Sequence, residues 1–294
     1  MRVVVFGGGG FLGSHVADAL SDAGHRVTVF DLRPSQWIRA DQAMVTGSIL
    51  DVDAVDAAVA GADAVYNFAG IADIDEAKGR PVDTVQANVL GSTIVADACA
   101  NQSVARYLFA SSVYVYSQFG SFYRASKQAS ELITAAYEEV RGLGYTILRY
   151  GSLYGPRSDE RNGIHRLVHA ALTDKVIEYG GTGDEVRDYI HVEDAARLSV
   201  EALAPEYENE HVVLTGPQSM RIGDLLQLIA EMLGDVEVRY VEPTSSEHYT
   251  ITPYSFRPRV ARKLVTSSYH DLGQGVLALV GDLHDRLHDG SEAG

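Results

Sequence analysis

Short apolar runs rich in β-branched residues alternate with longer amphipathic segments along the first half of the chain. This alternation predicts strands and helices that follow one another in a regular order. The predicted strands are residues 3–6, 25–30, 44–46, 63–67, 106–110 and 145–150. The predicted helices are residues 16–20, 52–60, 82–100 and 123–141. Repeated β-α units of this kind predict an α/β fold with a doubly wound parallel sheet covered by helices on both faces.

A glycine-rich turn with Gly7, Gly10 and Gly13 separates the first predicted strand from the first predicted helix. Glycines let backbone N–H groups approach a pyrophosphate at a helix N-terminus, where the helix dipole favours anions. The second strand ends at Asp31, an acid placed to accept two hydrogen bonds from an adenosine ribose. Arg33 could reach a 2′-phosphate, but Asp31 would repel that group. We therefore predict a dinucleotide site that prefers NAD to NADP.

The pattern becomes less regular beyond the Gly-Pro-Arg sequence at 155–157. A loop, a short helix and a strand are predicted within 158–183. Further strands are predicted at 187–191, 212–215 and 236–241, helices at 192–203, 222–233 and 273–287, and a disordered tail at 289–294. We expect 212–215 to rejoin the first sheet. Residues 1–157 and 187–216 then form an NAD-binding domain, and residues 158–186 and 217–294 form a smaller, interleaved lobe for the substrate.

Charge and hydropathy restrict the classes of molecule that the chain is expected to bind. The 294 residues carry a formal net charge of −16, and 46% of them are apolar, which is enough for a sizeable core. An acidic chain without a basic block is a poor partner for nucleic acid or an anionic membrane surface. No apolar run approaches the ~20 residues of a membrane span, and the chain begins directly with a strand pattern. We therefore expect a cytoplasmic protein.

Cysteine and histidine give no sign of a metal site. Cys99 is the only cysteine, which excludes an internal disulfide and a thiolate metal cluster. It lies in an apolar helical stretch, where a small buried residue is expected. His165, His169 and His191 do not combine with carboxylates at the spacing of metal ligands. We expect no metal.

A candidate for catalysis is the sequence Tyr-Arg-Ala-Ser-Lys, which places Tyr123 and Lys127 one turn apart on the same helix face. A free phenol has a pKa of about 10, and a nearby ammonium favours the phenolate. Tyr123 could then take a proton from an alcohol while hydride leaves the same carbon. Ser112, at the end of the preceding strand, could hold the alcohol oxygen. This spacing is common by chance, so its weight comes from its place after a dinucleotide turn.

Together the motifs resemble the extended short-chain dehydrogenase/reductase family, and within it the nucleotide-sugar epimerases. The resemblance covers nearly the whole chain. It rests on GGGGFLGSH from Gly7, Asp31, NFAG from Asn67, NVLGST from Asn88, SSVYVY from Ser111, YRASK from Tyr123, LRYGSLYGPR from Leu148 and RDYIHVEDAA from Arg187. It implies a Rossmann-like doubly wound parallel sheet with a smaller interleaved C-terminal substrate lobe, and a homodimer.

The resemblance also implies site residues. The implied catalytic residues are Ser112, Tyr123 and Lys127. The implied NAD contacts lie in the loops that follow the strands: Gly7, Gly10, Phe11, Leu12, Gly13, Asp31, Leu32, Arg33, Ser48, Ile49, Phe68, Ala69, Gly70, Asn88, Ser111, Tyr123, Lys127 and Tyr150. The expected substrate contacts are Ser112, Ser152, Arg187 and Arg257. A guanidinium such as that of Arg187 suits the oxygens of a nucleotide diphosphate.

Two assignments have an open alternative at this stage. Asn88 is either a satisfied polar residue on a helix face or a bridge near the nicotinamide. Arg257 and Arg259 either supply a second diphosphate contact or are exposed loop residues.

The chain departs from the family pattern at several positions. Only eleven positions separate Ser112 from Tyr123, a shorter segment than is usual in the family. Ser48 stands where Asp is frequent, and Ser152 stands where Asn is usual. Sugar 4,6-dehydratases carry an Asp-Glu pair just after the catalytic Ser or Thr, and Val113 and Tyr114 occupy those places here. Dehydration needs an acid for the leaving hydroxyl, so this difference argues against that branch.

The function predicted from the sequence is an NAD-dependent 4-epimerase of a nucleoside-diphosphate hexose, with a UDP-sugar as the expected substrate. One alternative is a reductase or dehydratase of nucleotide sugars on the same scaffold. A second, non-catalytic alternative is a protein that senses a dinucleotide. The Tyr123–Lys127 pair argues against the second alternative, because a sensor does not need a base.

Overall fold

The computed structural model describes residues 1–217, 219–242, 262–264 and 268–289. Arg257, Arg259 and residues 290–294 of the predicted tail lie outside the described residues. The strands are β1 (Arg2–Phe6), β2 (Arg26–Asp31), β3 (Ala43–Thr46), β4 (Ala64–Asn67), β5 (Arg106–Ser112), β6 (Tyr145–Tyr150), β7 (Ser152–Tyr154), β8 (Val176–Gly180), β9 (Val186–His191), β10 (Glu210–Leu214), β11 (Ser219–Arg221), β12 (Glu237–Val241) and β13 (Arg262–Leu264).

The helices are α1 (Phe11–Asp22), α2 (Val52–Val59), α3 (Ile74–Gly79), α4 (Pro81–Thr84), α5 (Ser92–Asn101), α6 (Ser121–Arg141), α7 (Gly163–Thr173), α8 (Val192–Glu201), α9 (Ile222–Leu233) and α10 (Leu272–Asp289). A π-helical turn, Val85–Gly91, joins α4 to α5. Short 3₁₀ segments cover Val113–Tyr116 and Pro205–Tyr207. Among the described residues, no helix combines the length and the apolar character needed to cross a lipid bilayer.

Eight parallel strands form the main sheet, in the order β13-β10-β6-β5-β4-β1-β2-β3. Successive residues of β1 point to opposite faces, so Val3 and Val5 join the core beneath α1 and α8, while Val4 and Phe6 join the core beneath α2 and α5. Helices therefore cover both faces, and the prediction of a Rossmann-like doubly wound α/β fold is confirmed. Cys99 is fully buried in the second of these cores, as expected.

A third core lies between α7, α9 and α10, beside two small sheets with the orders β11-β9-β7 and β12-β8. Strand β10 rejoins the main sheet, in agreement with the prediction for 212–215. Two strands cross the predicted division of the chain. Strand β9 pairs with β7 and β11 in a small sheet, and β13 extends the main sheet from within 217–294. The division at 157, 187 and 216 stays a proposal.

The single helix predicted over 82–100 is wrong in detail, because α4, a π-helical turn and α5 follow one another there. The Ser130 hydroxyl donates a hydrogen bond of 2.8 Å to the Asn88 carbonyl within this turn. A side-chain donor that takes a helix carbonyl disturbs the regular i→i−4 ladder, which accounts for the wider turn. The turn directs Asn88 towards the loop after β4.

Candidate active site

The glycine turn between β1 and α1 is packed so closely that side chains are excluded at two positions. A Cβ atom on Gly7, whose φ is +72°, would lie 2.6 Å from the Ala69 nitrogen. A Cβ atom on Gly13 would lie 2.2 Å from the Gly7 carbonyl oxygen. No side chain caps the N-terminus of α1, so the N–H groups of its first turn are open to an anionic ligand. This turn fits the pyrophosphate of a dinucleotide.

The residues predicted for the adenosine end follow β2 and β3. The Asp31 carboxylate accepts a 2.9 Å hydrogen bond from the Gly9 nitrogen and a 3.4 Å hydrogen bond from the Arg33 nitrogen. These bonds fix Asp31 beside the glycine turn. The Ser48 hydroxyl accepts a 3.2 Å hydrogen bond from the Leu50 nitrogen, and Ile49 packs on the core beneath. Leu32, between Asp31 and Arg33, is exposed.

The loop after β4 passes next to the glycine turn. Phe68 stacks on Tyr66 with a centroid separation of 5.9 Å, and Ala69 follows it against Gly7. Gly70 leaves room for Asn88, whose Oδ1 atom would lie 2.4 Å from a Cβ atom at that position. The predicted cofactor residues 68–70 are therefore brought to the glycine turn.

Asn88 is a satisfied polar residue, and its side chain also joins two elements of the structure. Its Oδ1 accepts a 2.7 Å hydrogen bond from the Ile71 nitrogen, and its Nδ2 donates to the Ile71 carbonyl at 2.9 Å. Nδ2 also donates to the Ser126 hydroxyl at 2.9 Å. Asn88 thus fastens the loop after β4 to α6. Its direct contact with NAD remains a prediction.

Strands β5 and β6 bring three predicted residues together at their carboxyl ends. Ser112 lies opposite Tyr150 in the sheet register, and Ser111 lies opposite Arg149. The Ser112 hydroxyl accepts a 3.2 Å hydrogen bond from the Tyr114 nitrogen, which caps the following 3₁₀ segment. The Tyr150 hydroxyl bonds to the Ser199 hydroxyl at 2.6 Å, and burial raises the pKa of Tyr150.

Tyr123 and Lys127 lie on the buried face of α6 and are only 9% and 6% exposed. The Lys127 Nζ atom is 5.9 Å from the centre of the Tyr123 ring. It donates a 2.8 Å hydrogen bond to the Ala110 carbonyl, two residues before Ser112. Burial lowers the pKa of Lys127 to about 8, and the Glu131 carboxylate opposes this shift. The geometry therefore places an ammonium group near the phenol, as the sequence predicts.

Two further buried charges at this site were missed in the sequence. Glu131 lies one turn after Lys127, and its Oε2 is 2.6 Å from the Nη2 atom of Arg149 on β6. Its Oε1 accepts a 2.6 Å hydrogen bond from the Ser111 hydroxyl. The sequence does carry a signal for Glu131. Tyr123, Lys127 and Glu131 follow one another at four-residue steps, which places them on one helix face.

The short segment between Ser112 and Tyr123 folds against the candidate base. Its first residues form the 3₁₀ segment Val113–Tyr116, in which Val113 is buried. The Tyr114 ring meets the Tyr123 ring edge to face at 6.2 Å. Apolar and aromatic groups, not carboxylates, therefore follow Ser112 directly.

The predicted substrate residues lie beside the end of β6. Ser152 begins β7, two residues after Tyr150, and pairs with Tyr189 of β9. Arg187 lies two residues earlier on β9, is buried, and donates a hydrogen bond of 3.1 Å to the Val186 carbonyl. The small sheet thus brings Ser152 and Arg187 to one region. Arg257 lies outside the described residues, so its role is still a prediction.

Three side chains that the sequence did not combine could offer metal ligands. Ligand atoms of His191, Glu193 and His270 lie within 4.8 Å of one another. The two rings are stacked at 4.4 Å with an angle of 28°, and His270 Nδ1 is 3.1 Å from the Asp194 carboxylate. His270 Nε2 is also 3.2 Å from the Glu193 carboxylate, so both nitrogens of this ring face carboxylates. The Nε2 atom of His191 is buried and has no hydrogen-bond partner among the described residues.

Comparison with known proteins gives the class of enzyme. The sequence profile of the NAD-dependent epimerase/dehydratase family matches residues 3–215. The chain belongs to this family. Its resemblance to the extended short-chain dehydrogenases/reductases is thereby confirmed, and so is NAD as the cofactor of this epimerase/dehydratase.

Relatives of this epimerase/dehydratase differ in their activities. The low-salt glycan biosynthesis protein Agl12 of Haloferax volcanii is 30% identical over 221 residues, which are 66% of this chain and 70% of that protein. A dTDP-glucose 4,6-dehydratase of Actinoplanes sp. is 27% identical, covering 80% of this chain and 82% of that enzyme. The UDP-glucose 4-epimerase of Thermus thermophilus, solved with NAD, superposes with a TM-score of 0.83 at 24% identity over 97% of this chain and 99% of that chain. This last likeness supports the fold.

Proposed function

We propose that this protein is an NAD-dependent epimerase that inverts C4 of a nucleoside-diphosphate hexose through a 4-keto intermediate. The observation that carries the proposal is the buried Tyr123–Lys127 pair beside the end of β5, where Ser112 lies. The family supports nucleotide-sugar chemistry with NAD. The choice of epimerisation rests on the residues after Ser112.

Each catalytic residue has one role in this proposal. Tyr123 takes the proton of the C4 hydroxyl and later returns a proton to the keto oxygen. Ser112 donates a hydrogen bond to that oxygen and keeps it near the phenol. Lys127 stabilises the phenolate by its charge. NAD, when bound, supplies a reversible hydride acceptor, which Asp31, the glycine turn and Lys127 would hold.

Dehydration by the same scaffold is the main alternative, because a dTDP-glucose 4,6-dehydratase is among the relatives. A dehydratase must protonate a hydroxyl that leaves from the sugar, so it needs an acid close to the substrate. Val113 is buried and Tyr114 packs on Tyr123, so neither of these positions supplies a carboxyl group. This arrangement favours epimerisation. A reductase differs in that its cofactor must exchange after each turnover.

For the substrate we propose a UDP-sugar. Its diphosphate would meet the Arg187 guanidinium, Ser152 and Arg257, with the hexose ring next to Ser112 and Tyr123. A diphosphate and a guanidinium are a favourable pair because two parallel N–H donors can meet two phosphate oxygens. A cytoplasmic location suits such a soluble metabolite and is part of the proposal.

We also propose a homodimer. Leu132, Ala136 and Val140 follow one another at four-residue steps on the outer face of α6, and Leu132 and Val140 are 64% and 75% exposed. Val85 and Leu90 of the neighbouring π-helical turn are exposed as well. Several large apolar side chains exposed on neighbouring elements are typical of a protein–protein interface. A second copy of α6 and its neighbours would cover it.

The decisive experiment offers a panel of UDP- and dTDP-hexoses to the purified protein and identifies the products by NMR. Epimerisation at C4 without net use of NAD is expected for at least one UDP-hexose. A 4-keto-6-deoxy product would assign a dehydratase, and a stoichiometric change in NAD absorbance would assign a reductase. Either result would contradict the proposed function.

A further inference from the structure

The buried carboxylate of Glu131 joins three elements beneath the candidate active site. Glu131 lies on α6, and its oxygens accept hydrogen bonds from Ser111 of β5 at 2.6 Å and from Arg149 of β6 at 2.9 Å and 2.6 Å. The side chains of Glu131 and Arg149 are only 8% and 6% exposed. A fully satisfied buried network of this kind holds its members in one arrangement.

Glu131 and Lys127 hold consecutive residues of β5. Lys127 donates to the carbonyl of Ala110, and Glu131 accepts from the side chain of Ser111. The next residue is Ser112. The two contacts therefore fix the end of β5 against α6 at the point where the candidate catalytic hydroxyl leaves the strand.

Glu131 lies close to one buried cation along α6 and contacts a second. Lys127 precedes it by one helical turn, and Arg149 contacts its carboxylate through two guanidinium nitrogens. Burial acts against the charged form of Lys127, and the Glu131 carboxylate acts in favour of it. Without this carboxylate, the buried Arg149 guanidinium would lose its ion-pair partner and the buried Lys127 ammonium would lose a favourable charge, both of which are costly.

We propose that Glu131 is a positioning residue of this site, which holds α6 against the end of β5 and, through its charge one helical turn away, favours the ammonium form of Lys127 beside Tyr123. The inference rests on the proposed function only for its consequence for turnover. The geometry behind it is the contact of one buried carboxylate with Ser111 and Arg149, on the same helix face as the buried Lys127.

Other titratable groups border this network and enter its pH dependence. Tyr123 precedes Lys127 on α6, and Tyr116 of the 3₁₀ segment hydrogen bonds to Arg149. His211 of β10 lies with its Nδ1 atom 2.7 Å from Arg149 Nη2 and 3.7 Å from the Glu131 carboxylate. These groups act on Lys127 through Arg149 and Glu131, so the charge at position 131 is the simplest one to vary.

The titration of Lys127 can be measured directly, because the chain has only four lysines: Lys78, Lys127, Lys175 and Lys263. Protein labelled with ¹³C at the lysine ε-carbon gives four signals, and Lys127→Met assigns the one of interest. In the wild type we expect the Lys127 signal to titrate near pH 8. In Glu131→Gln we expect the midpoint to fall by about one pH unit or more, because an opposite charge shifts a pKa by roughly 1–3 units.

Two further variants distinguish the effect of the Glu131 charge from the effect of its side-chain shape. Glu131→Asp keeps the charge and is expected to return the Lys127 midpoint most of the way to the wild-type value. Glu139→Gln, on the exposed face of the same helix, removes an equal charge and is expected to leave the midpoint unchanged. A purely structural role for Glu131 would lower the melting temperature in Glu131→Gln and leave the titration of Lys127 in place.

Glu131→Gln leaves Arg149 without its partner and could fail to fold. The double variant E131Q/R149M removes both charges and is compared with Arg149→Met, so that the two proteins differ only at position 131. An unshifted midpoint in folded Glu131→Gln against the wild type, or in folded E131Q/R149M against Arg149→Met, overturns the inference, whatever the activity. A shifted midpoint in a protein that epimerises no nucleotide sugar would reject the proposed function and retain the role of Glu131.

Discussion

The inner and outer faces of α6 differ from the usual pattern of an amphipathic helix. On the inner face Tyr123, Lys127 and Glu131 follow at four-residue steps, and all three are buried. On the outer face, Leu132 and Val140 are exposed. Packing alone would place apolar residues inside and charges outside. The buried polar residues and the exposed apolar ones fit the roles proposed for the two faces, catalysis on the inner face and association on the outer face.

The largest expected effect tests the chemistry of the inner face. Tyr123→Phe removes one oxygen and keeps the ring, so the fold and NAD binding should persist. If Tyr123 is the base, single-turnover reduction of bound NAD by substrate should slow by roughly 10²–10⁴-fold. Tyr137→Phe is the matched control on the same helix, because the Tyr137 hydroxyl bonds to Asp97 at 3.1 Å, away from Lys127. A rate near that of the wild type in Tyr123→Phe would assign the proton transfer to another group.

The next prediction concerns Arg187, which lies outside α6, so its substitution leaves both faces of that helix unchanged. Arg187→Ala should weaken binding of the nucleotide sugar about ten- to hundredfold, because a charge-assisted hydrogen bond contributes roughly 1.5–3 kcal/mol. NAD affinity and kcat should change little, because the inner face of α6 is untouched. Arg239→Ala, an exposed arginine paired with Glu237, is the control for loss of charge. Isothermal titration should show the difference, and equal affinities for the sugar nucleotide would make Arg187 structural.

The choice between NAD and NADP concerns Asp31 at the end of β2. This residue lies at the opposite end of the main sheet from the small sheet that carries Ser152 and Arg187. Asp31 should favour NAD over NADP, because its carboxylate repels a 2′-phosphate and accepts the ribose hydroxyls. Fluorescence titration of the wild type should give a clearly tighter NAD complex. Asp31→Asn should narrow the difference, with Asp53→Asn, an exposed acid, as the control. Equal or tighter binding of NADP to the wild type would contradict the assignment.

The smallest effect on turnover is expected from the outer face of α6. Leu132→Glu should convert a dimer to monomers, because it places a charge in an apolar interface, and the inner face should keep most of its activity. Light scattering at micromolar concentration measures the change in mass. Leu277→Glu, an exposed leucine on α10, is the control. A wild-type protein that is already monomeric at this concentration would remove the proposed interface.

The regular part of the fold could be predicted from the sequence because its strands carry β-branched runs and its helices carry apolar periodicity. The three-residue strands β7, β11 and β13 are too short to produce a period. The π-helical turn was missed because it depends on a hydrogen bond from Ser130, forty-two positions away from Asn88. Such a contact leaves no local pattern.

Contacts between residues that are distant in sequence limit the prediction of the candidate site in the same way. The placement of Ser112, Tyr123 and Lys127 at the end of β5 and on the inner face of α6 could be predicted because their motif is local and follows a strand. Arg149 could not be joined to Glu131 beforehand, because the two side chains meet only when β6 pairs with β5 beneath α6. Stacking of His191 and His270 likewise depends on residues 79 positions apart.

Cys99, the only cysteine, is fully buried, and burial raises the pKa of its thiol. A thiol of this kind reacts slowly with maleimides, since the thiolate is the nucleophile. A cysteine introduced at an exposed position away from α6, such as Leu277→Cys on α10, would therefore be the dominant target for a fluorescent dye. The wild-type sequence thus provides an unreactive background for single-molecule fluorescence, in which a dye at one chosen position reports whether the proposed homodimer forms.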